Sequence, residues 1–391
     1  MKPTEPDSAA GRIVTGVALG IVGVSALASL AAGSLAVLMA RTVVTPPRRA
    51  DEDLRVLDVT ASTVTLSAAR DSLTPGRYSL WFDDDRGHAR IGEILALDAR
   101  SVTRALIAVD FGNLRRGIRA RFGGWFYLSP RELGYAFEDV AIETDLGPAP
   151  AWLVPAAEPN GRWVIQVHGR GVRKQETLRA VPVFHDAGYT SLLVSYRNDG
   201  DAPATDDYRY ALGDREWLDV DAAIGFAVDQ GATDIVLMGW SMGGATVLQA
   251  ATRSEHVGLI RGIVLDSAVV DWRSVLNFQG ALLHVPAFIR RTAIATISNP
   301  WGRVLTGQAL PIDLDRLDFV ARADELRQPI LLLHSDDDGY VPAEAPRALA
   351  TARPDIVEFH AFSTARHAKI WNYDAAGWNT AIADWLARIA G

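Results

Sequence analysis

The sequence predicts an α/β protein, a mostly parallel central sheet with helices on both faces, preceded by an N-terminal transmembrane helix and a small β-rich segment. Three observations predict it. From about residue 137, strand-like apolar runs alternate with helix-like stretches, the rhythm of an open α/β sheet. One such strand, Ile235 to Met238, runs through Gly239-Trp240-Ser241-Met242-Gly243 into an Ala-rich helical pattern. Finally, Ile13 to Ala40 is a run of 28 residues without a charge, closed by Arg12 and Arg41. A helix needs about 20 apolar residues to cross a bilayer, so this run is long enough.

Composition sets the bounds. At 391 residues the chain is too long for one typical domain and long enough for a large core domain plus additions, and 49% apolar with 22% charged residues is ordinary globular usage. The net charge of −8, with no basic stripe, excludes nucleic acid as a main partner. Zero cysteines exclude disulfides, thiolate metal sites and a cysteine nucleophile.

The chain divides into a tail over 1–12, the transmembrane helix over 13–40, a proline-bearing linker over 41–53, a β-rich domain over 54–130 and the catalytic part over 137–391. A cleaved signal has an apolar region of only about 7 to 15 residues, so a retained single-pass anchor is preferred. Lys2 and Arg12 flank it on one side, and Arg41, Arg48, Arg49 and Arg55 on the other. Positive charge marks the cytoplasmic side, so the catalytic part is expected there.

Leu54 to Thr60, Thr63 to Leu66, Arg77 to Phe82, His88 to Leu95 and Val102 to Val109 are β-branched or alternating runs separated by turn residues. They predict a small antiparallel unit, a partial barrel or a hairpin stack. Asp83-Asp84-Asp85 beside His88 reads as a solvated turn, because a metal site draws ligands from more than one element.

In the catalytic part, 141–144 and 151–154 form a hairpin and 162–167 the next strand. A helix over 174–187, a strand over 191–196 and a helix over 216–230 follow. Beyond the Ser241 turn come strands over 262–266, 330–334 and 356–361. Trp378, Ile382, Trp385, Leu386 and Ile389 lie at helical spacing and close the chain. Residues 271–314 break the rhythm, and apolar Val275 to Ile289 suits a lid or packing on a sheet face equally. In Gly-x-Ser-x-Gly a sharp turn projects the serine hydroxyl, glycines let strand and helix approach closely, and the helix aims its first amides at an oxyanion.

Four motifs in order resemble the α/β-hydrolase superfamily over about 137–391. His168-Gly169-Arg170-Gly171 resembles its oxyanion loop, and Gly239 to Gly243 its nucleophile elbow. The run from His334 to Pro342 resembles its acid loop, with Ser335 where glycine is usual, and His367 lies where its histidine falls. The resemblance implies Ser241 as nucleophile, His367 as base and Asp338 as the carboxylate that orients the imidazole. Asp336 and Asp337 are neighbouring candidates for the acid, and Asp266 an alternative on another strand. The backbone amides of Arg170 and Met242 would form the oxyanion hole, and Gly169 and Trp240 would contact substrate. The Arg170 side chain could attract an anionic substrate group, yet its position is explained by its backbone amide alone.

The expected protein is a membrane-anchored serine hydrolase of esters, with lipid-like acyl esters or thioesters among its substrates, and without cofactor or metal. The elbow also resembles that of prolyl-oligopeptidase-type serine peptidases, which makes peptide cleavage the alternative. A non-catalytic α/β-hydrolase-like binding protein is the rival of another class. Oligomeric state is left open.

Overall fold

A computed structural model describes residues 29–47 and 51–389. Helix α1 is seen over residues 29–44. The β-rich segment comprises β1 (Leu54–Val59), β2 (Thr63–Ser67), β3 (Tyr78–Phe82), β4 (Gly87–Leu97), β5 (Ser101–Phe111) and β6 (Arg119–Gly123). These pair as a closed barrel in the order β1-β2-β5-β4-β3-β6. Closure depends on β6, absent from the sequence expectation, which pairs antiparallel with both β1 and β3. Its arginines hid it: Arg119 and Arg121 turn outward while Ala120 and Phe122 enter the barrel core with Leu80 and Ile91. Arg104 is also buried there, and its guanidinium donates to the carbonyls of Gly92, Ser72, Thr74 and Gly76. Four acceptors offset the cost of burying that charge.

The catalytic part follows as β7 (Glu138–Thr144), β8 (Gly147–Val154), β9 (Arg162–Val167), α2 (Val181–Asp186), β10 (Thr190–Val194), α3 (Trp217–Asp229), β11 (Asp234–Trp240) and α4 (Met242–Arg253). Then come β12 (Ile260–Asp266), α5 (Trp272–Leu282), α6 (Ala287–Ser298), α7 (Arg303–Thr306), β13 (Ile330–Ser335), α8 (Glu344–Ala352), β14 (Val357–Phe362), α9 (Ile370–Tyr373) and α10 (Ala375–Ile389). Eight strands form one sheet in the order β14-β13-β12-β11-β9-β10-β8-β7, with β8 alone running against the rest. The central strands are apolar on both faces because helices cover both. On β11, Ile235 and Leu237 join one core while Val236, Met238 and Trp240 join the other. The helix expected over 174–187 opens as a 3-10 segment, Lys174–Ala180, before α2 begins. Pro182, lacking an N–H, sits in the first turn of α2, where none is needed.

The apolar run expected to span a membrane over 13–40 lies largely outside the described residues. Among the described residues no helix is long and apolar enough to cross a bilayer. Where α1 is described it continues to Val44, four residues into the expected linker. Ala36, Ala40 and Val44, at helical spacing, are buried in the core of the catalytic part. The last turns of the helix are therefore protein-packed.

Candidate active site

Ser241 sits between β11 and α4 with φ 51° and ψ −118°, a strained conformation for a residue with a Cβ. The approach around it is close enough to require glycine. A Cβ on Gly239 would lie 2.4 Å from the carbonyl oxygen of Gly243, and one on Gly243 would lie 2.3 Å from that of Val167. This tight crossing lifts the Ser241 hydroxyl onto the carboxyl edge of the sheet, where the loops after β9, β13 and β14 converge.

His367, in the loop after β14, stands between two oxygens. Its Nε2 is 2.9 Å from Ser241 Oγ and its Nδ1 is 2.8 Å from Asp338 Oδ2. Asp338 comes from the loop after β13, and its other oxygen accepts from the N–H groups of Tyr340 and Val341 at 2.8 and 2.9 Å. Burial works to raise the pKa of this carboxyl, but the charge and hydrogen bond of His367, with His334 and the Val341 amide, hold it below its ordinary value. A buried anion thus faces the imidazole. His367 keeps 23% of its side chain exposed, so the imidazole is reachable from outside. The arrangement can pass a proton from Ser241 to His367 while Asp338 fixes the tautomer.

The neighbouring aspartates are engaged elsewhere. Asp336 pairs with Arg347, and Asp337 with Arg70 and Arg366. Asp266 is fully buried and accepts from Trp378 Nε1 and Ser267 Oγ, each at 2.9 Å. That same Ser267 hydroxyl accepts from the N–H of Ala368 at 3.1 Å, so Asp266 supports the backbone after His367.

The loop after β9 passes beside Ser241. A Cβ on Gly169 would lie 3.2 Å from that of Ser241. Gly169 N–H donates to buried Glu176 Oε2 at 2.9 Å, and its carbonyl accepts from the Tyr196 hydroxyl at 2.7 Å. Burial pushes the Glu176 carboxyl above its ordinary pKa, against the pull of Arg179 and the Gly169 amide. The N–H of Met242 opens the first turn of α4, where helix amides lack intrahelical acceptors.

Two of the side chains named from the sequence are engaged away from substrate. Trp240, expected against substrate, is fully buried below the sheet with Arg179 over its ring, because the alternation of β11 turns it to the α10 face. The Arg170 guanidinium does not stand free for an anion. It donates to the carbonyls of Thr42, Val43 and Thr45 at 2.7, 3.1 and 2.9 Å, capping the C-terminus of α1.

Residues that sequence reasoning missed surround the loops. Asp71, from the barrel, pairs with Arg366 and Lys369, on either side of His367 and Ala368. Asn372 donates to the barrel carbonyls of Arg77 and Gly124 at 2.9 and 3.0 Å. Tyr340 lays its ring 5.0 Å from that of His367. No local pattern marks such residues, since each partner is distant in sequence.

Beside the site lies an apolar cavity of about 300 Å³, walled by α1, α5 and α6. Residues 271–314 therefore form part of a pocket wall.

The chain belongs to the alpha/beta hydrolase family, whose profile matches residues 164–377. Residues 55–123 match a domain of unknown function, DUF8805. A pimeloyl-[acyl-carrier protein] methyl ester esterase of Aromatoleum aromaticum is 30% identical over 156 residues, 31% of this chain and 62% of that protein. Human protein ABHD12B is 25% identical over 207 residues, 51% of each chain. The chain thus spans 62% and 51% of the lengths of these curated relatives. Among solved structures, a Pyrococcus furiosus esterase superposes with TM-score 0.53 at 17% identity, over 68% of this chain and 95% of that one. A Butyrivibrio proteoclasticus protein with ferulic acid bound gives TM-score 0.50 at 17% identity, over 64% of this chain and 99% of that one. At such identities the likeness shows the fold.

Proposed function

We propose that the protein is a serine hydrolase of carboxylic esters, with Ser241, His367 and Asp338 as its triad. The observation that carries this is the imidazole of His367 within hydrogen-bond reach of both Ser241 Oγ and Asp338 Oδ2. Ser241 Oγ attacks the ester carbonyl carbon as its proton passes to His367 Nε2. The backbone N–H groups of Arg170 and Met242 hold the oxyanion. Collapse expels the alcohol, which takes the proton from His367, and leaves an acyl-enzyme. Water then attacks the acyl carbon with His367 again accepting the proton, and the acid and free serine are released.

Membrane anchoring belongs to the same reading. The uncharged run over 13–40 supports it, as do exposed Leu30, Leu35 and Leu38 on α1 and exposed Trp301, Val304 and Leu305 in and beside α7. Leu30, Leu38 and Leu305 line one shallow groove, so α1 and α7 share an apolar surface. The flanking arginines favour a cytoplasmic catalytic part. A C-terminal reporter active only outside the cytoplasm tests the side, and a signal from it refutes this orientation.

The reaction is tested with a fluorophosphonate probe on the detergent-solubilised chain. Labelling that disappears in Ser241→Ala is expected. A folded wild type that takes no label refutes the reading and brings the non-catalytic binding protein forward.

A further inference from the structure

The cavity beside the site is bounded by elements from two parts of the chain. Leu38, Met39 and Val43 of α1 form one wall, and residues of α5 and α6, among them Leu276 and Ala293, form the others. Three of its polar side chains are turned to the protein. Gln279 donates to the carbonyls of Gly339 and Tyr340, Arg290 to that of Asn277, and Arg170 to those at the end of α1. The space is therefore apolar on nearly all sides.

Two residues of the cavity lining, Arg170 and Tyr340, adjoin residues of the site. Arg170 follows Gly169, which packs on Ser241, and the Tyr340 ring packs on that of His367. The lining also includes Leu38 and Leu283, 61% and 71% exposed. The apolar cavity thus lies between exposed apolar residues and two residues that adjoin the site. At ~30 Å³ for a water-sized group, close to a methylene, a cavity of about 300 Å³ has room for roughly ten such groups.

We propose that this cavity is the binding site for one medium-length acyl chain, and that helix α1 supplies a wall of it. The proposal rests on the ester-hydrolase reading for the fate of the chain and on the cavity alone for its binding. It also gives α1 a role besides anchoring. Met39 reaches across to α5, its methyl lying 3.6 Å from where a Cβ on Gly280 would stand. The chain-length preference is then set in part by a helix that precedes the family-matched domain.

Two assays on the full chain in detergent test this separately. In the first, p-nitrophenyl acetate, octanoate, decanoate and hexadecanoate are compared. Ala293→Phe and Met39→Trp, filling the cavity from opposite walls, are each expected to lower the decanoate-to-acetate ratio of kcat/KM at least tenfold. Leu276→Ala, which enlarges it, is expected to move the optimum to a longer chain. In the second, decanoic acid binding is followed by calorimetry on Ser241→Ala protein and on that protein carrying either filling substitution. Binding that weakens at least tenfold in both is expected. Absent binding, or equal binding in all three, overturns the acyl site even if esters are hydrolysed. Binding as expected with no ester hydrolysed by wild type overturns the hydrolase reading and leaves the acyl site standing. Circular dichroism identifies a misfolded variant, and the enlarging substitution then still decides, because it must shift the profile the other way.

Discussion

Asp71 of the barrel accepts from Arg366 Nε at 3.1 Å, and so ties the barrel to the residue immediately before His367. Its second oxygen accepts from Lys369 at 2.6 Å, two residues after the histidine. Burial alone would raise the Asp71 carboxyl, yet the charges of Lys369 and Arg366 hold it below its ordinary pKa. Arg366 in turn donates to the carbonyl of Asp337 at 2.7 Å, which links the histidine loop to the acid loop. The barrel therefore braces the two loops that meet at Ser241.

Asp71→Ala is accordingly expected to lower kcat about tenfold on a short-chain ester, with little change in KM, because a small misplacement of a reacting group is costly. Asp71→Glu should recover part of the loss. Steady-state kinetics beside a circular dichroism spectrum checks this. An unchanged kcat in the alanine variant would reduce the contact to a structural one.

Asp338 and Asp266 should separate cleanly. Asp338→Asn removes the negative acceptor from His367 Nδ1 and is expected to lower kcat by about 10³- to 10⁴-fold with the fold intact. Asp266→Asn keeps the shape but puts an amide beside the indole N–H of Trp378. That substitution should cost stability first, about 1 to 3 kcal/mol by urea denaturation, and kcat far less. A larger kcat loss in the Asp266 variant would reverse the assignment.

Much of this was legible because it is periodic or local. The two-sided apolar strands, the Gly-x-Ser-x-Gly turn and the spacing from His334 to Pro342 are each contained in a few consecutive residues. What escaped was written across the chain. β6 was hidden because Arg119 and Arg121 carry charge at every second position, which obscures a strand whose other face closes a barrel. Glu176 looks like a solvated helix residue until Gly169, seven positions away, donates to it. Trp240 looked like a substrate contact by its place beside Ser241, whereas the two-residue period of β11 decides its face.

Asp199 gives a pH signature of stability. Its carboxylate is buried, accepts from the Tyr210 hydroxyl, and is pushed by desolvation up to about 7, against the hydrogen bonds of Tyr210 and Tyr196. An acid whose folded pKa is raised binds a proton in the native state that the unfolded chain has already released. Its stabilising contribution is therefore full below about 4 and lost as pH rises to about 7. Asp199→Asn should remove that dependence. Urea unfolding at pH 5 and pH 8 is expected to show the wild type losing up to about 2.7 kcal/mol relative to the variant. Parallel changes in both proteins would contradict it.

Arg170 offers the sharpest test of the link between α1 and the loop beside Ser241. Its guanidinium holds three carbonyls at the C-terminal end of α1, where a cation also meets the favourable end of the helix dipole. Just beyond, a Cβ on Gly171 would lie 2.6 Å from Pro47 Cγ, so the chain leaving the helix presses on the same loop. Arg170→Ala keeps the backbone N–H proposed for the oxyanion but frees the helix end. About 2 to 3 kcal/mol of local stability should go with the charge-assisted bonds. Hydrogen exchange over residues 36–44 should accelerate accordingly, by roughly 30- to 150-fold. Arg170→Lys restores the charge without the three-way fork and should recover only part of the protection. Protection unchanged in the alanine variant would mean that Ala36, Ala40 and Val44 dock the helix by burial alone.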